Sequence, residues 1–248
     1  MGVKDTAEES VLQHRAGGVL TLTLNRPERR NAVDDATANV LHERVRAVHD
    51  DPDCQVIVID GAGPSFCAGW DVEAATALRA LPVAAVEAVF ERNRVLLEDL
   101  ESAPQVTVAA VHGAVMGFGL GLVARCDIAL AAESTLVALP EIAHRIVPAI
   151  VMVDLLETLP EKVALDWLLS GERRTADDAL AAALFSRVVP DDELQSAVAE
   201  LARALAAHDS TTLRETKALY RRLQGLDRSA AVREAIATAA AALSDGGS

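Results

Sequence analysis

Four consecutive β-branched residues, Val56-Ile57-Val58-Ile59, constrain this chain more than any other feature. A run without polar alternation is a strand buried on both faces, the mark of a parallel sheet covered by helices. Upstream, Val19 to Leu24 alternates threonine with leucine at period two over most of its length, which reads as a half-buried strand. Asn25-Arg26-Pro27 ends it, because proline cannot donate to a ladder. Between the two, Val33, Thr37, Val40, Leu41, Val45 and Val48 recur at helical spacing. Asp34 and Asp35 sit where the positive end of that helix favours carboxylates. Strand, helix and buried strand make a β-α-β unit.

After a loop with Gly61, Gly63 and Pro64, the spacing predicts a helix from Val83 to Leu100, with Val86, Val89, Phe90, Leu96, Leu97 and Leu100 on one side. Val106 to Ala124 carries no Asp, Glu, Lys or Arg and is long enough to suggest a membrane span. His112 and four glycines instead divide it into a buried strand, Val106 to Val111, a glycine turn and the start of a helix. Short strands are expected over Asp127 to Ala131 and Thr135 to Ala138. Beyond Pro148 the chain turns alanine-rich and helical, with helices expected over Ala149 to Leu159, Glu161 to Leu169, Asp192 to Ala207, Thr212 to Leu223 and Arg228 to Leu243, and a frayed end from Ser244 to Ser248. The inferred architecture is a series of ββα-like turns followed by a helical tail.

Charge and composition remove several function classes. The 248 residues carry a net charge of −14, which repels nucleic acid and anionic membrane. Aromatics at 3% are too few for base-stacking platforms. Cys54, Cys67 and Cys126 form no C-x-x-C pair, which excludes a disulfide framework or a cysteine-built zinc site and suits a reducing cytoplasm; no metal is expected. Met1 to Ser10 lacks the apolar core of a secretory signal. Met1-Gly2 with Thr6 formally matches a myristoylation pattern, but the match is short.

Two glycine-bearing turns follow buried strands: Gly61 to Asp71 (GAGPSFCAGWD) and His112 to Gly121 (HGAVMGFGLG). Glycine lets main-chain N–H groups aim into a cavity and lets a ligand approach closely. Two such turns could aim one N–H each at a single oxygen. The Gly117-x-Gly119-x-Gly121 string lacks the spacing of a dinucleotide loop, and no phosphate-loop, zinc-protease or hydrolase-elbow motif is present. His112 is expected to hydrogen-bond locally. Asp71 reads as a turn or helix-start residue and Asp127 as a strand-start partner. Cys67 has no base nearby in sequence and is not read as a nucleophile.

The stretches LNRPERRNA (Leu24 to Ala32), GAGPSFCAGWDV (Gly61 to Val72) and AVHGAVMGFGLGLVARCDIALA (Ala110 to Ala131) resemble the enoyl-CoA hydratase/isomerase (crotonase) family. ALPEIAHRIVP (Ala138 to Pro148) and LSGERRTADDALAAALFSRVVP (Leu169 to Pro190) follow in family order. The resemblance runs from about Val11 to Leu223 and implies an α/β, crotonase-like (ClpP/crotonase) spiral of ββα units. It also implies a core over residues 1–190 and a C-terminal helical oligomerisation segment over 191–248, assembling as a homotrimer or dimer of trimers.

What the resemblance implies chemically is an acyl-CoA thioester site, with coenzyme A as part of the substrate and no separate cofactor. The N–H groups of Trp70 and Phe118 would cradle the thioester oxygen as it becomes an enolate. The Arg26, Arg29 and Arg30 cluster, the backbone near Ala32, Ala68 and Val72, and Asp71, Ala114, Gly117 and Pro140 would line the substrate and CoA site. Family hydratases use two glutamates that hold a water between them. At the first position this chain has Gly121, and at the second it keeps Glu141 after Pro140. One carboxylate suffices to move a proton between two carbons, so double-bond isomerisation by Glu141 is the expected reaction. Phe118 departs from the usual glycine, so its ring either points away or narrows the acyl pocket. His144 and Arg145 stand where a leucine-glycine pair is usual, and either pair with Glu141, recognise the acyl group, or lie on the surface. The alternatives are an enoyl-CoA hydratase, including crotonobetainyl-CoA-like substrates, and a crotonase-fold protein that binds acyl-CoA without turnover.

Overall fold

The computed structural model describes residues 7–245, so the Met1-Gly2-Thr6 pattern and the last three residues lie outside the described residues. Strands β1 (Val11–Ala16) and β2 (Val19–Leu24) form an antiparallel hairpin through Gly17-Gly18, both at positive φ, as a two-residue turn requires. Leu20, Leu22 and Leu24 of β2 point inward at period two. Helix α1 (Asp35–Arg46) begins at Asp34, whose side chain accepts from the Thr37 N–H at 2.8 Å. It leads to β3 (Val56–Gly61), parallel to β2, which completes the expected β-α-β unit.

Helices α2 (Val72–Leu78) and α3 (Val83–Ser102) separate β3 from β4 (Val106–Val111), all six residues of which are buried. The chain then makes a short strand β5 (Ala114–Met116), helix α4 (Phe118–Arg125), strand β6 (Ile128–Ala132) and strand β7 (Leu136–Ala138). Helices α5 (Ala149–Thr158) and α6 (Glu161–Ser170), the two-residue β8 (Arg174–Thr175), α7 (Ala176–Ala181) and β9 (Arg187–Val189) follow. The chain continues through α8 (Leu194–Ala206), α9 (Ser210–Leu223) and α10 (Arg228–Asp245). Ser244 and Asp245, expected to fray, continue the last helix.

Six strands form one sheet in the order β1-β2-β3-β4-β6-β9, parallel throughout except at β1, and β5-β7-β8 form a second. Successive turns of the spiral add one strand to each sheet: β4 then β5, and β6 then β7. One core packs Ile57, Ile59, Ala109 and Val111 against Leu96 and Leu100 of α3 and Leu120 of α4. The other packs Val56, Val58, Val108 and Leu130 against Leu194, Val198 and Ala202 of α8. Each fully buried valine, leucine or isoleucine contributes about 1.5–3 kcal/mol, so the doubly covered β3 and β4 anchor the molecule. Among the described residues no helix is long and apolar enough to cross a membrane. Val106 to Ala124 is instead β4, β5 and most of α4.

Candidate active site

The two glycine turns lie side by side. Phe66 donates its N–H to the His112 carbonyl at 2.8 Å, and Met116 donates to Cys67 at 2.9 Å. On the far side of the first turn, Val33 donates to the Gly69 carbonyl and accepts from the Asp71 N–H, both at 2.8 Å. In such a parallel bridge the middle residue's own N–H points away from its partner strand. That residue is Trp70. Its neighbour Gly69 lies close against the second turn, where a Cβ on Gly69 would stand 2.9 Å from the Met116 carbonyl and 3.7 Å from the Phe118 nitrogen. Phe118 is the first residue of α4, where helical N–H groups have no intrahelical acceptor and the helix dipole is positive. Among the described residues neither main-chain N–H, at Trp70 or at Phe118, has a protein acceptor. Both are therefore free to donate to a ligand.

A cavity of about 190 Å³ opens beside them, lined by the Trp70 and Phe118 rings, Phe90, Leu97 and residues of α5. The rings meet edge to face, with centroids 5.9 Å apart and planes at 75°. Phe118 thus lines the pocket, with its ring held against that of Trp70. Glu141 enters from a 3-10 turn over Pro140–His144. Its carboxylate covers Gly117, where a Cβ would overlap Oε1 and displace it, and the φ of +46° at 117 favours glycine. Oε2 of Glu141 is buried with no hydrogen-bond partner. Burial pushes this carboxyl above its usual range, opposed in part by its own main-chain N–H and by the charge of His144.

Two polar side chains in this cavity escaped the sequence reading. Asn93 occupies the buried face of α3, four residues from both Val89 and Leu97, and donates to the Val89 carbonyl at 2.8 Å. Asp154 of α5 is buried and reaches the cavity beneath Gly121. Its signal was a lone carboxylate inside an apolar run, Ala149 to Leu156, in the next α-helix after the arginine that holds it. Arg125 Nε donates to Asp154 Oδ1 at 2.8 Å. Burial raises the Asp154 carboxyl above its usual range, and Arg125 opposes that shift.

The other sequence-selected residues surround the first turn. Arg26 is largely enclosed: it donates to the Ala32 carbonyl at 2.7 Å and pairs with Asp34 and Asp71 at 3.1 and 3.3 Å. Asp71 is buried, caps α2 by accepting from Glu73 and Ala74, and also pairs with Arg29. The Ala68 N–H donates to the Arg30 carbonyl at 2.9 Å, while the Arg30 side chain is exposed. Val72 is exposed at the start of α2, Ala114 sits on β5, and Pro140 opens the turn that carries Glu141. His144 and Arg145 are exposed; the Arg145 main-chain N–H donates to the Glu141 and Ile142 carbonyls, but among the described residues neither side chain hydrogen-bonds the Glu141 carboxylate. His112 bonds locally to the Gly63 carbonyl, as expected. Asp127 starts β6 by accepting from the Thr107 N–H and hydroxyl. Cys67 is fully buried and its thiol is pushed up to about 12, which leaves no thiolate at neutral pH. No group of three or more His, Cys, Asp or Glu among the described residues is placed to hold a metal ion.

Residues 14–243 match the model of the enoyl-CoA hydratase/isomerase family. The chain belongs to that family. It is 30% identical to the human mitochondrial enoyl-CoA hydratase domain-containing protein 3, over 83% of this chain and 67% of that protein. Carnitinyl-CoA dehydratase of Salmonella arizonae is 35% identical, over 79% of this chain and 74% of that one. The crystal structure of an enoyl-CoA hydratase from Mycobacterium smegmatis superposes with a TM-score of 0.89 at 30% identity, covering 94% of this chain and 91% of that one. The fold of this family member is thus the crotonase spiral.

Proposed function

We propose that this family member acts on an enoyl-CoA thioester by stabilising its enolate, and that Glu141 carries the proton that shifts the double bond. The N–H groups of Trp70 and Phe118 hold the thioester oxygen. Donors fixed toward developing charge in a dry pocket are worth about 2.7–4 kcal/mol each in the transition state. Glu141 takes a proton from one carbon and returns it to another two bonds away. The observation that carries the reading is the unpartnered, buried Oε2 of Glu141 over Gly117, next in sequence to the free Phe118 N–H. A carboxyl raised by burial is a better proton donor and acceptor near neutrality than an exposed one.

The CoA end lies on this reading against the first turn, with exposed Arg30 facing its phosphates; because Ala32 is already bonded to Arg26 and Arg29 and the Ala68 N–H to Arg30, the backbone contacts fall to the Ala68 carbonyl and the Val72 N–H. Three free cysteines support a reducing compartment such as the cytoplasm. The test is absorbance-monitored conversion of 3-enoyl- to 2-enoyl-CoA. Glu141→Gln is expected to lower kcat by about 100-fold or more, with KM within a few-fold. Tight CoA-ester binding without turnover of any enoyl ester would instead identify a binding protein. Turnover that survives Glu141→Gln would place the base elsewhere.

A further inference from the structure

Aromatic side chains are scarce in this chain, which has four phenylalanines, two tryptophans and one tyrosine in 248 residues. Three of those seven, Trp70, Phe90 and Phe118, line one cavity, the one that Glu141 enters. They arrive from separate elements. Trp70 ends the first glycine turn and Phe118 begins α4, while Phe90 lies on α3, where Phe90, Asn93 and Leu97 share the cavity-lining face at helical spacing. Trp70 and Phe118 are committed to each other edge to face. Phe90 is 41% exposed and, among the described residues, meets no other ring. A single exposed apolar side chain needs no explanation, but this one belongs to a cavity wall with two further rings.

Size and charge narrow what such a wall faces. An apolar cavity of about 150 Å³ takes one benzene molecule. At about 190 Å³, this one takes a six-membered aromatic ring on a short tether. No lysine, arginine or histidine is among its lining residues, whereas Glu141 and Asp154 are, so an acyl group ending in a carboxylate finds no counter-ion there. A cationic end finds no free counter-ion either, since Arg125 holds Asp154 at 2.8 Å and burial drives Glu141 toward its neutral form.

We propose that the acyl group this protein recognises carries an aromatic ring, received by the wall of Trp70, Phe90 and Phe118. The proposal rests on the acyl-CoA reading above and names its substrate class. With the thioester oxygen on the Trp70 and Phe118 N–H groups and the reacting carbons beside Glu141, the remainder of the acyl group has this cavity to enter. The residues whose N–H groups hold the oxygen thus also supply two of the rings. An aromatic ring brings a positive edge and a negative face to its aromatic neighbours, which a saturated chain does not. Phe90, the uncommitted ring of the three, makes the direct contact, and the Trp70–Phe118 pair fixes the rest of the wall. A ring on a short tether also loses fewer rotatable bonds on entry than a linear chain of the same carbon number.

The test compares the conversion of 3-enoyl- to 2-enoyl-CoA for esters of equal acyl carbon number: 5-phenyl-3-pentenoyl, 5-cyclohexyl-3-pentenoyl and linear 3-undecenoyl. The native chain is expected to turn over the phenyl ester with kcat/KM at least about fivefold above either of the others. Phe90→Leu, which keeps an apolar side chain without the ring, is expected to cut that preference over the linear ester by about three- to tenfold, chiefly through KM. Phe118→Leu, which keeps the main-chain N–H, is expected to shift it the same way. Each variant is read as a ratio of two esters on one preparation, so a partly unfolded sample does not mimic the result. Equal or faster turnover of the cyclohexyl or linear ester, or a preference unmoved by Phe90→Leu, overturns the proposal and leaves the enolate reading standing. Faster turnover of an ester whose acyl chain ends in a trimethylammonium group would assign the three rings to a cation and overturns it too. A chain that turns over no enoyl ester, with or without a ring, overturns both.

Discussion

Glu141 shows what a buried, unpartnered carboxyl costs at the scale of one residue. Its folded pKa is raised by burial, so the neutral form is favoured in the native state. For a raised carboxyl the stabilising balance holds below the unfolded value and is lost as pH rises through the folded value. Glu141→Gln removes that loss. The variant is expected to match the native chain near pH 4 and to exceed it increasingly toward pH 8, by about 0.5–2 kcal/mol, or roughly 2–4 °C in Tm per kcal/mol. Thermal melts across that pH range check this, and a variant less stable than the native chain at pH 8 contradicts it. At this scale the sequence was readable where chemistry is tied to a local pattern: Pro140-Glu141 and the residues after each glycine turn. Asp154 was not readable, because its partners Arg125 and Gly121 are distant along the chain and only α4 against α5 brings them together.

Elements were legible in proportion to their length and burial. β2, β3, β4, α3, α5, α6 and the last three helices were anticipated to within a few residues. The strands and α3, α5, α6 and α8 were legible from their buried faces, and α9 and α10, which bury no described side chain, from length and alanine-rich composition alone. β1 was missed: after Val11 its side chains are exposed, so nothing alternates. β5, β8 and β9 have only two or three residues, too few for any period to register. The short α7 announces itself differently, by a capping box in which Thr175 and Asp178 each accept from the other's N–H. α2 depends likewise on one side chain, and Asp71 both caps it and holds Arg26 and Arg29. Asp71→Ala is expected to destabilise the chain by about 1–3 kcal/mol, and Asp71→Asn, which keeps the cap, by less. Denaturant titration orders the two. If Asp71 acts on CoA instead, KM rises while the unfolding midpoint stays put.

For the whole molecule, the unexplained feature is apolar surface on the helices that follow the site. α5 turns Asp154 and Leu155 inward but presents Val153 at 55% and Leu156 at 65% exposure, and α6 presents Leu165 and Leu169. Val232, Ile236 and Leu243 of α10 are also exposed. Apolar surface of this extent on α5, α6 and α10 is expected to be covered by further copies of the chain, against the mutual repulsion of a net charge of −14. The expected state is a trimer or a dimer of trimers. Sedimentation equilibrium at micromolar concentration should give the mass of three or six chains, and Tm should rise with protein concentration. Leu156→Glu together with Leu165→Glu should leave the inward face of α5 intact, yet lower the mass toward one chain, because a charge at the centre of an apolar contact is desolvated without a partner. Since α5 also walls the pocket, loss of assembly is expected to loosen that wall and raise KM for the CoA ester. A native chain that sediments as a monomer, with Tm independent of concentration, would remove assembly from the account while leaving the chemistry of Glu141 untouched.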